Sequence, residues 1–246
     1  TIMEKNMTQE HNFTQGRILE PLMKFALPVM LAMFLQALYG AVDLLVVGQF
    51  SDAVNVSAVS TGSQIIMTIT FVVTGLAMGI TILVGQRIGE GNPQAAGRVV
   101  GNGIHLFIIV GVVVTVVMVL GAGRISNLMN APVEAFAETV QYVRICSAGF
   151  VFITAYNVLG SIFRGIGDSN MPLITVMIAT VVNIIGDLLF VAAFGWGAAG
   201  AAVATVIAQM VSVVLSLVII KRRKLPFEMT AHNIHITKTP TTATPS

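Results

Sequence analysis

The sequence predicts an all-α integral membrane protein in which six transmembrane helices form a bundle. Of its 246 residues, 55% are hydrophobic and only 10% are charged, whereas a soluble domain usually carries about a quarter charged residues. The mean hydropathy is +0.88. Charges and turn-forming residues divide the chain into six apolar stretches, each close to the ~20 residues that cross a bilayer as a helix.

The six spans follow one another with short connections, several of which contain Gly, Pro or Asn. The fourth span corresponds to the 19 uncharged residues between Arg144 and Arg164, with some extension upstream. The motif Gly195-Trp196-Gly197 separates the last two spans. The other predicted spans are 21–47, 59–85, 99–122, 171–194 and 198–220. We therefore expect a polar cytoplasmic segment over 1–20, a transmembrane lobe over 21–224, and a Thr/Pro-rich, disordered tail over 225–246.

The Lys and Arg residues of the connections predict the orientation of the bundle. Eleven of the 13 lie on one side and only two, Arg124 and Arg144, on the other. Because Lys and Arg accumulate on the cytoplasmic side of membrane proteins, both termini are predicted to be cytoplasmic. The eleven are Lys5, Arg17, Lys24, Arg87, Arg98, Arg164, Lys221, Arg222, Arg223, Lys224 and Lys238.

Two acidic residues, Asp43 and Asp187, fall inside predicted spans, where a carboxylate costs about 2.5 to 3.5 kcal/mol on insertion scales. Counting along the helices at about 1.5 Å per residue places both, with Thr205, in one layer roughly 10 Å below the outer surface. Asn183 lies one turn deeper than Asp187. Carboxylate, amide and hydroxyl oxygens suit a proton or a small hard cation such as sodium. The alternative is that the two acids only cap or hydrogen-bond neighbouring helices.

Further polar or helix-bending residues accompany these acids. Gln36 and Tyr39 precede Asp43 by two turns and one turn on the same face. Pro28 predicts a bend in the first span, for which both packing and gating remain open. Gly75 and Gly79 form a GxxxG pattern that predicts close helix packing.

Several classes of function are not supported by the sequence. The net charge of +2 is too small to indicate nucleic-acid binding. The single Cys146 excludes an internal disulfide. The sequence has no Walker motif, zinc-binding pattern or nucleophile elbow, so we expect neither an enzyme nor a bound cofactor.

Four stretches together resemble the multidrug and toxic compound extrusion (MATE) family. They are PLMKFALPVMLAMFLQALYGAVDLLVVGQF, VGQRIGEGNPQAAGR, NVLGSIFRGIGDSNMPLI, and NIIGDLLF followed by GWGAAGAAVATVIAQ. The resemblance covers residues 15–227. An aspartate on helix one and the Asn-x-x-x-Asp pair on helix five are similar to the DinF-like prokaryotic branch.

The resemblance implies one lobe of a twelve-helix secondary antiporter in the inner membrane of a prokaryote. Such proteins export cationic or amphiphilic compounds in exchange for protons or sodium, and their two six-helix lobes are parallel repeats. In the DinF-like branch the amino-terminal lobe holds the cation. By resemblance, Asp43, Asn183, Asp187 and Thr205 would bind it, and Pro28 would bend its helix. Gln36, Tyr39 and Asn157 would line the cavity beside it.

Only one lobe of the family pattern is present in this sequence. A truncated or frameshifted product, an excised fragment and a half-size protein that pairs with itself each explain this. The expected partners are the bilayer, small organic cations or amphiphiles, and a second lobe or a second copy. Two alternative functions stay open: a membrane fragment without transport activity, and a relative of lipid-linked saccharide flippases. A flippase would need several Lys or Arg residues in the cavity.

Overall fold

The computed structural model describes residues 19–222, which form a bundle of helices without a β-strand among them. The predicted segments 1–20 and 225–246 lie outside the described residues, except that Leu19 and Glu20 begin the first helix. The α-helices are α1 (Leu19–Phe50), α2 (Ala53–Gly89), α3 (Pro93–Leu128), α4 (Phe136–Ala148), α5 (Phe150–Gly165), α6 (Asn170–Asp187) and α7 (Gly197–Arg222). A 3-10 turn (Val133–Ala135) precedes α4 and a π-helical segment (Leu188–Ala193) follows α6.

The all-α membrane fold predicted from the sequence is confirmed. Five segments are long and apolar enough to cross a bilayer, and the pair α4–α5 makes a sixth if it counts as one bent span. Helices α2 and α3 begin before the predicted spans because polar caps start them in the connections. The side chain of Asp52 accepts a hydrogen bond from Asn55 N at 2.9 Å, and that of Asn92 accepts one from Ala95 N at 3.0 Å. Such caps satisfy the free N–H groups of a first helical turn.

The fourth span is bent, which the sequence did not predict. Its two halves, Val133–Ala148 and Phe150–Gly165, meet at an angle of 52°. Gly149 lies between them and packs against α7, where an added Cβ would lie 2.5 Å from Val206 Cγ1. The glycine therefore allows α7 to approach the bend closely, one residue from Thr205.

Helices α6 and α7 pack against each other in antiparallel orientation. An added Cβ on Gly186 would lie 2.9 Å from Ala204 Cβ, and one on Gly200 would lie 3.0 Å from the carbonyl carbon of Phe190. Between these contacts the chain leaves α-helical geometry, and Phe194 N donates to Leu189 O at 3.0 Å. The π-helical segment thus begins directly after Asp187, and π-helical turns are frequent at functional sites.

Helix α1 lies at the periphery of the described bundle, and only Asp43 and Val47 of its 32 residues are buried. It packs against α2, α6, α7 and the π-helical segment. The largest apolar core lies among α2–α5, with contributions from α7. Helix α1 continues through Pro28 without a break.

The predicted GxxxG contact of α2 is wrong for the described residues. A Cβ added to Gly75 or Gly79 would meet no atom within 4 Å. Close approaches on α2 and α3 occur instead at Gly62, which faces the ring of Tyr142, and at Gly103, which faces Ile80. The spacing of glycines alone does not decide which face of a helix meets a neighbour.

Candidate cation and substrate site

A buried polar layer joins α1, α6 and α7 near the predicted outer end of the bundle. Asp43 is 3% exposed, Asp187 0% and Thr205 8%. Thr205 Oγ1 donates a hydrogen bond to Asp43 Oδ2 at 3.2 Å. Asp187 and Asn183 lie beside Asp43, close enough for electrostatic interaction. The structure therefore brings together the four residues that the sequence singled out as candidate ligands.

Local helix packing explains why these four side chains meet. Asn183 and Asp187 are four residues apart on α6, so they share one face of the helix. The contact of Gly186 with Ala204 draws that part of α6 against α7, and Thr205 follows immediately. Helix α1 closes the layer from the other side because it packs against both α6 and α7.

Most polar atoms of this layer lack a hydrogen-bond partner. Both carboxylate oxygens of Asp187, both amide atoms of Asn183, and Oδ1 of Asp43 are buried without one. The ion pairs Lys24–Glu20 and Arg87–Glu90 within residues 19–222 are exposed, and neither involves Asp43 or Asp187. Two like charges without a basic partner are stabilised by a bound proton or cation, since burying an uncompensated charge is costly.

Tyr39 and Gln36 continue the polar face of α1 below Asp43. Tyr39 Oη donates to the backbone carbonyl oxygen of Thr205 at 3.3 Å. Gln36 Nε2 donates to Tyr156 Oη on α5 at 3.3 Å. Tyr156 was not among the predicted site residues. Its position one residue before Asn157 on the predicted fourth span is the signal that could have identified it.

Asn157, which the resemblance places in the cavity lining, forms its hydrogen bonds with α2 and within α5, and its lining role stays a prediction. Its Oδ1 accepts from Thr74 Oγ1 at 3.0 Å, and its Nδ2 donates to the carbonyl oxygen of Ile153 at 2.8 Å. The first bond joins α5 to α2, the second lies within α5, and neither includes the carboxylates. Pro28 lies on α1 four turns from Asp43, which at 5.4 Å per turn is about 22 Å and too far for contact with the polar layer.

The composition of the layer limits which ions it can hold. No group of three or more His, Cys, Asp or Glu residues that could bind a metal occurs in residues 19–222. The layer offers two carboxylates, an amide and a hydroxyl. These are hard oxygen donors, and they fit a proton or a monovalent cation better than a transition metal, which prefers nitrogen and sulfur ligands.

A model of a known protein family matches most of the chain. The family model MatE matches residues 28–189, which include α1 from Pro28 onward, α2 to α6 and the first residues of the π-helical segment. The chain belongs to the MATE family. The recognition made from the sequence motifs is thereby confirmed for the family, while its placement in the DinF-like branch stays a prediction. MATE proteins are multi-pass membrane proteins, in agreement with the helices described above.

Curated relatives extend over most of this MATE chain. It is 27% identical over 228 residues to "Probable multidrug resistance protein YpnP" of Bacillus subtilis, covering 89% of this chain and 49% of that protein. It is 30% identical over 212 residues to "Probable multidrug resistance protein NorM" of Thermotoga maritima, covering 84% and 46%. The chain thus spans about half the length of the curated relatives it matches.

Solved structures give the same half-length correspondence. The MATE chain superposes on a MATE protein crystallised in the bent conformation with a TM-score of 0.86 and 26% identity, covering 94% of this chain and 52% of that one. A MATE protein in the straight conformation gives a TM-score of 0.82 with 26% identity, covering 92% and 50%. A MOP superfamily transporter from Pyrococcus furiosus gives 0.86 with 25% identity, covering 94% and 51%. The six-helix lobe is the unit that these structures share.

Proposed function

We propose that this chain is one lobe of a secondary active antiporter that exports cationic or amphiphilic xenobiotics in exchange for protons or sodium. The observation that carries the proposal is the buried pair Asp43 and Asp187, which no basic residue of the described chain compensates. The multidrug resistance names of the relatives support the substrate class. The lobe operates in the plasma membrane of a prokaryote with both termini cytoplasmic.

In this proposal Asp43, Asn183, Asp187 and Thr205 hold the coupling cation. The oxygens that lack partners provide its ligands, and the hydrogen bond of Thr205 to Asp43 fixes one carboxylate. A cation or proton that binds here neutralises the repulsion between the two acids. Its release leaves a negative cavity that attracts a cationic substrate, so the two ligands compete for the same charge.

The remaining candidate residues act on the substrate or on the motion of α1. Gln36 and Tyr39 line the cavity beneath the carboxylates, where their hydrogen bonds hold α1 to α5 and α7. Asn157 lines the wall toward α2. Pro28 provides the point at which α1 bends, because its ring prevents one backbone hydrogen bond.

A second lobe completes the substrate pathway, either as another polypeptide or as a second copy of this chain. The half-length match to every relative named above supports this part of the proposal. The flippase alternative would require basic side chains for pyrophosphate beside the cavity oxygens. Neither carboxylate forms an ion pair with a Lys or Arg of the described helices, so that alternative is less well supported.

Efflux of a cationic dye from a bacterium without its own exporters tests the proposal. The chain is expressed alone and together with the second half of a MATE relative, and Asp43→Asn and Asp187→Asn are compared with the exposed control Glu90→Gln. We expect both aspartate variants to lose export and the control to retain it. Equal export by the Asp187→Asn variant and the parent contradicts the coupling role. Export by neither combination favours a fragment without transport activity.

A further inference from the structure

Buried polar atoms without partners extend beyond the four candidate ligands. Ten such side-chain atoms occur among residues 19–222, and six of them belong to Asp43, Asn183, Asp187 and Gln209. Gln209, on α7, is assigned no role by the sequence motifs or by the family resemblance. Because each unpaired polar atom inside a membrane protein costs free energy, the concentration of six atoms on three adjoining helices indicates a place where a polar ligand binds.

The register of the helices places Gln209 one turn below the carboxylate layer. Helices α1 and α7 run in opposite directions, and Asp43 contacts Thr205. A step of four residues along each helix therefore brings Tyr39 level with Gln209. The hydrogen bond from Tyr39 to the carbonyl oxygen of Thr205 supports this register, because helix carbonyls point along the axis toward the residue four positions later.

Asn183 reaches the same level from α6. Gly186 lies opposite Ala204 in the antiparallel pair α6–α7, so Asn183 lies near the level of residues 207–209. Both amide atoms of Asn183 and Oε1 of Gln209 are buried and unpaired. The register therefore places Tyr39, Gln209 and Asn183, the deepest of the four candidate ligands, in a second polar layer. It lies about 5.4 Å below Asp43, Asp187 and Thr205, because one helical turn advances the chain by that distance.

A third polar layer continues toward the predicted cytoplasmic side. There Gln36 binds Tyr156 at 3.3 Å, and Ser212 Oγ donates to the carbonyl oxygen of Thr175 at 2.9 Å. Unlike the amide of Asn183 and Oε1 of Gln209, these groups have partners within the protein. Among the described residues of α1, α6 and α7, the unpaired oxygens thus end at the level of Gln209, which marks the inner limit of the space available to a ligand.

We propose that Gln209 forms, with Asn183 and Tyr39, a second oxygen-lined position for the coupling cation, one helical turn closer to the cytoplasm than the carboxylates. This inference rests on the function proposed above and extends it to a residue outside the family's ligand set. The unpaired atom of Gln209 is Oε1, and an acceptor oxygen is what a sodium ion or a hydronium-like water requires. The position holds a hard cation after it leaves the carboxylate pair.

Cation binding to the purified 246-residue chain tests the inference. Trp196 is the only tryptophan and stacks on Phe190 with ring centroids 5.3 Å apart. Phe190 follows Asp187 by three residues, so the fluorescence of Trp196 reports changes at the carboxylates. Sodium chloride is titrated at fixed pH, with choline chloride keeping the ionic strength constant. A separate pH titration without sodium distinguishes protons from sodium ions as the ligand.

Gln209→Leu removes the oxygen and keeps an apolar side chain of similar size. We expect the apparent affinity for whichever cation gives the signal to fall about tenfold, which corresponds to about 1.4 kcal/mol. Gln209→Glu keeps an acceptor oxygen at this position, and this variant should bind the cation at least as tightly as the parent does. Met210→Leu, at the neighbouring and 38% exposed position, is the matched control and should stay within twofold.

Two results separate this inference from the function on which it rests. If Asp187→Asn abolishes the fluorescence response while Gln209→Leu stays within twofold of the parent, the second position is refuted and the carboxylate site stands. If Asp187→Asn responds as the parent does, both proposals fail. Should Gln209→Leu not fold, Gln209→Asn withdraws the oxygen by one methylene group. An unchanged affinity in that variant also refutes the second position.

Discussion

Replacing Gly186 with alanine tests whether the close contact of α6 and α7 positions the carboxylate layer. The new Cβ would lie 2.9 Å from Ala204 Cβ and 3.3 Å from Ala204 Cα, whereas ordinary contacts begin at 3.4 Å. The helices must therefore separate by about 0.5 Å, since packed interiors hold few voids that could absorb the methyl group. Overpacking of this kind costs about 1 to 3 kcal/mol.

The same displacement reaches the candidate site. Thr205 follows Ala204, and its hydrogen bond to Asp43 is already 3.2 Å long. A further shift of about 0.5 Å would take this distance past the ~3.5 Å at which a hydrogen bond is lost. We therefore expect Gly186→Ala to lower both the melting temperature of the purified chain and its apparent cation affinity, measured by the fluorescence of Trp196.

Two companion variants separate the packing contact from other effects of alanine. Gly186→Ala combined with Ala204→Gly moves the methyl group across the interface and should recover most of both losses. Gly79→Ala adds a methyl group where no atom lies within 4 Å and should lose neither stability nor affinity. The reasoning is refuted if Gly186→Ala behaves like Gly79→Ala, or if the double variant is no better than the single one.

Three further predictions concern the bend and the predicted outer connections. Gly149→Ala places a methyl carbon 2.5 Å from an α7 valine and should destabilise the purified chain by about 1 to 3 kcal/mol; an unchanged melting temperature would contradict this packing. Asn55→Leu leaves the N–H of Ala198, now bonded to Asn55 Oδ1 at 2.7 Å, without its acceptor, and should cost about 1 to 3 kcal/mol in the same assay; a loss no greater than for Met210→Leu would count against it. The hydrogen bond from the backbone N–H of Asn55 lowers the pKa of Asp52 in the folded protein. The ionised Asp52 carboxylate therefore stabilises the fold at pH values above its pKa in the unfolded chain, and this stabilisation is lost as the pH falls through its lower pKa in the folded protein. Asp52→Asn should therefore show a smaller loss of thermal stability on acidification than the parent, and equal losses would refute the assignment.

Much of the architecture follows from the sequence because lipid imposes simple constraints. A helix is one of only two structures that satisfy the backbone in hydrocarbon, so long apolar stretches become helices. Counting residues from the span ends also placed Asp43, Asp187 and Thr205 at one level, and Thr205 does contact Asp43. Depth along a helix increases linearly with residue number, so it can be counted from the sequence.

Features that depend on contacts between helices could not be predicted in this way. Gly149 and Gly79 both lie in apolar stretches, yet only Gly149 lies at a bend and packs against α7. The π-helical segment after Asp187 has no distinctive residue pattern. Gln209 could have been predicted from the sequence, because it lies four residues after Thr205 just as Asn183 lies four residues before Asp187. The spacing of four residues, which places two side chains on one face of a helix, identifies Gln209 in the same way as Asn183.

If a cation binds between the carboxylates as proposed, the uneven packing of the three helices around them determines which helix responds. Close glycine contacts hold α6 against α7, whereas only Asp43 and Val47 of α1 are buried. Repulsion between Asp43 and Asp187 therefore acts across the weaker of the two interfaces. We expect neutralisation of the pair to draw α1 toward α6, and loss of the cation to release it. We expect the hydrogen bonds of Gln36 and Tyr39 to limit how far α1 moves, so that the residues below the acids would set the range of the motion that the acids drive.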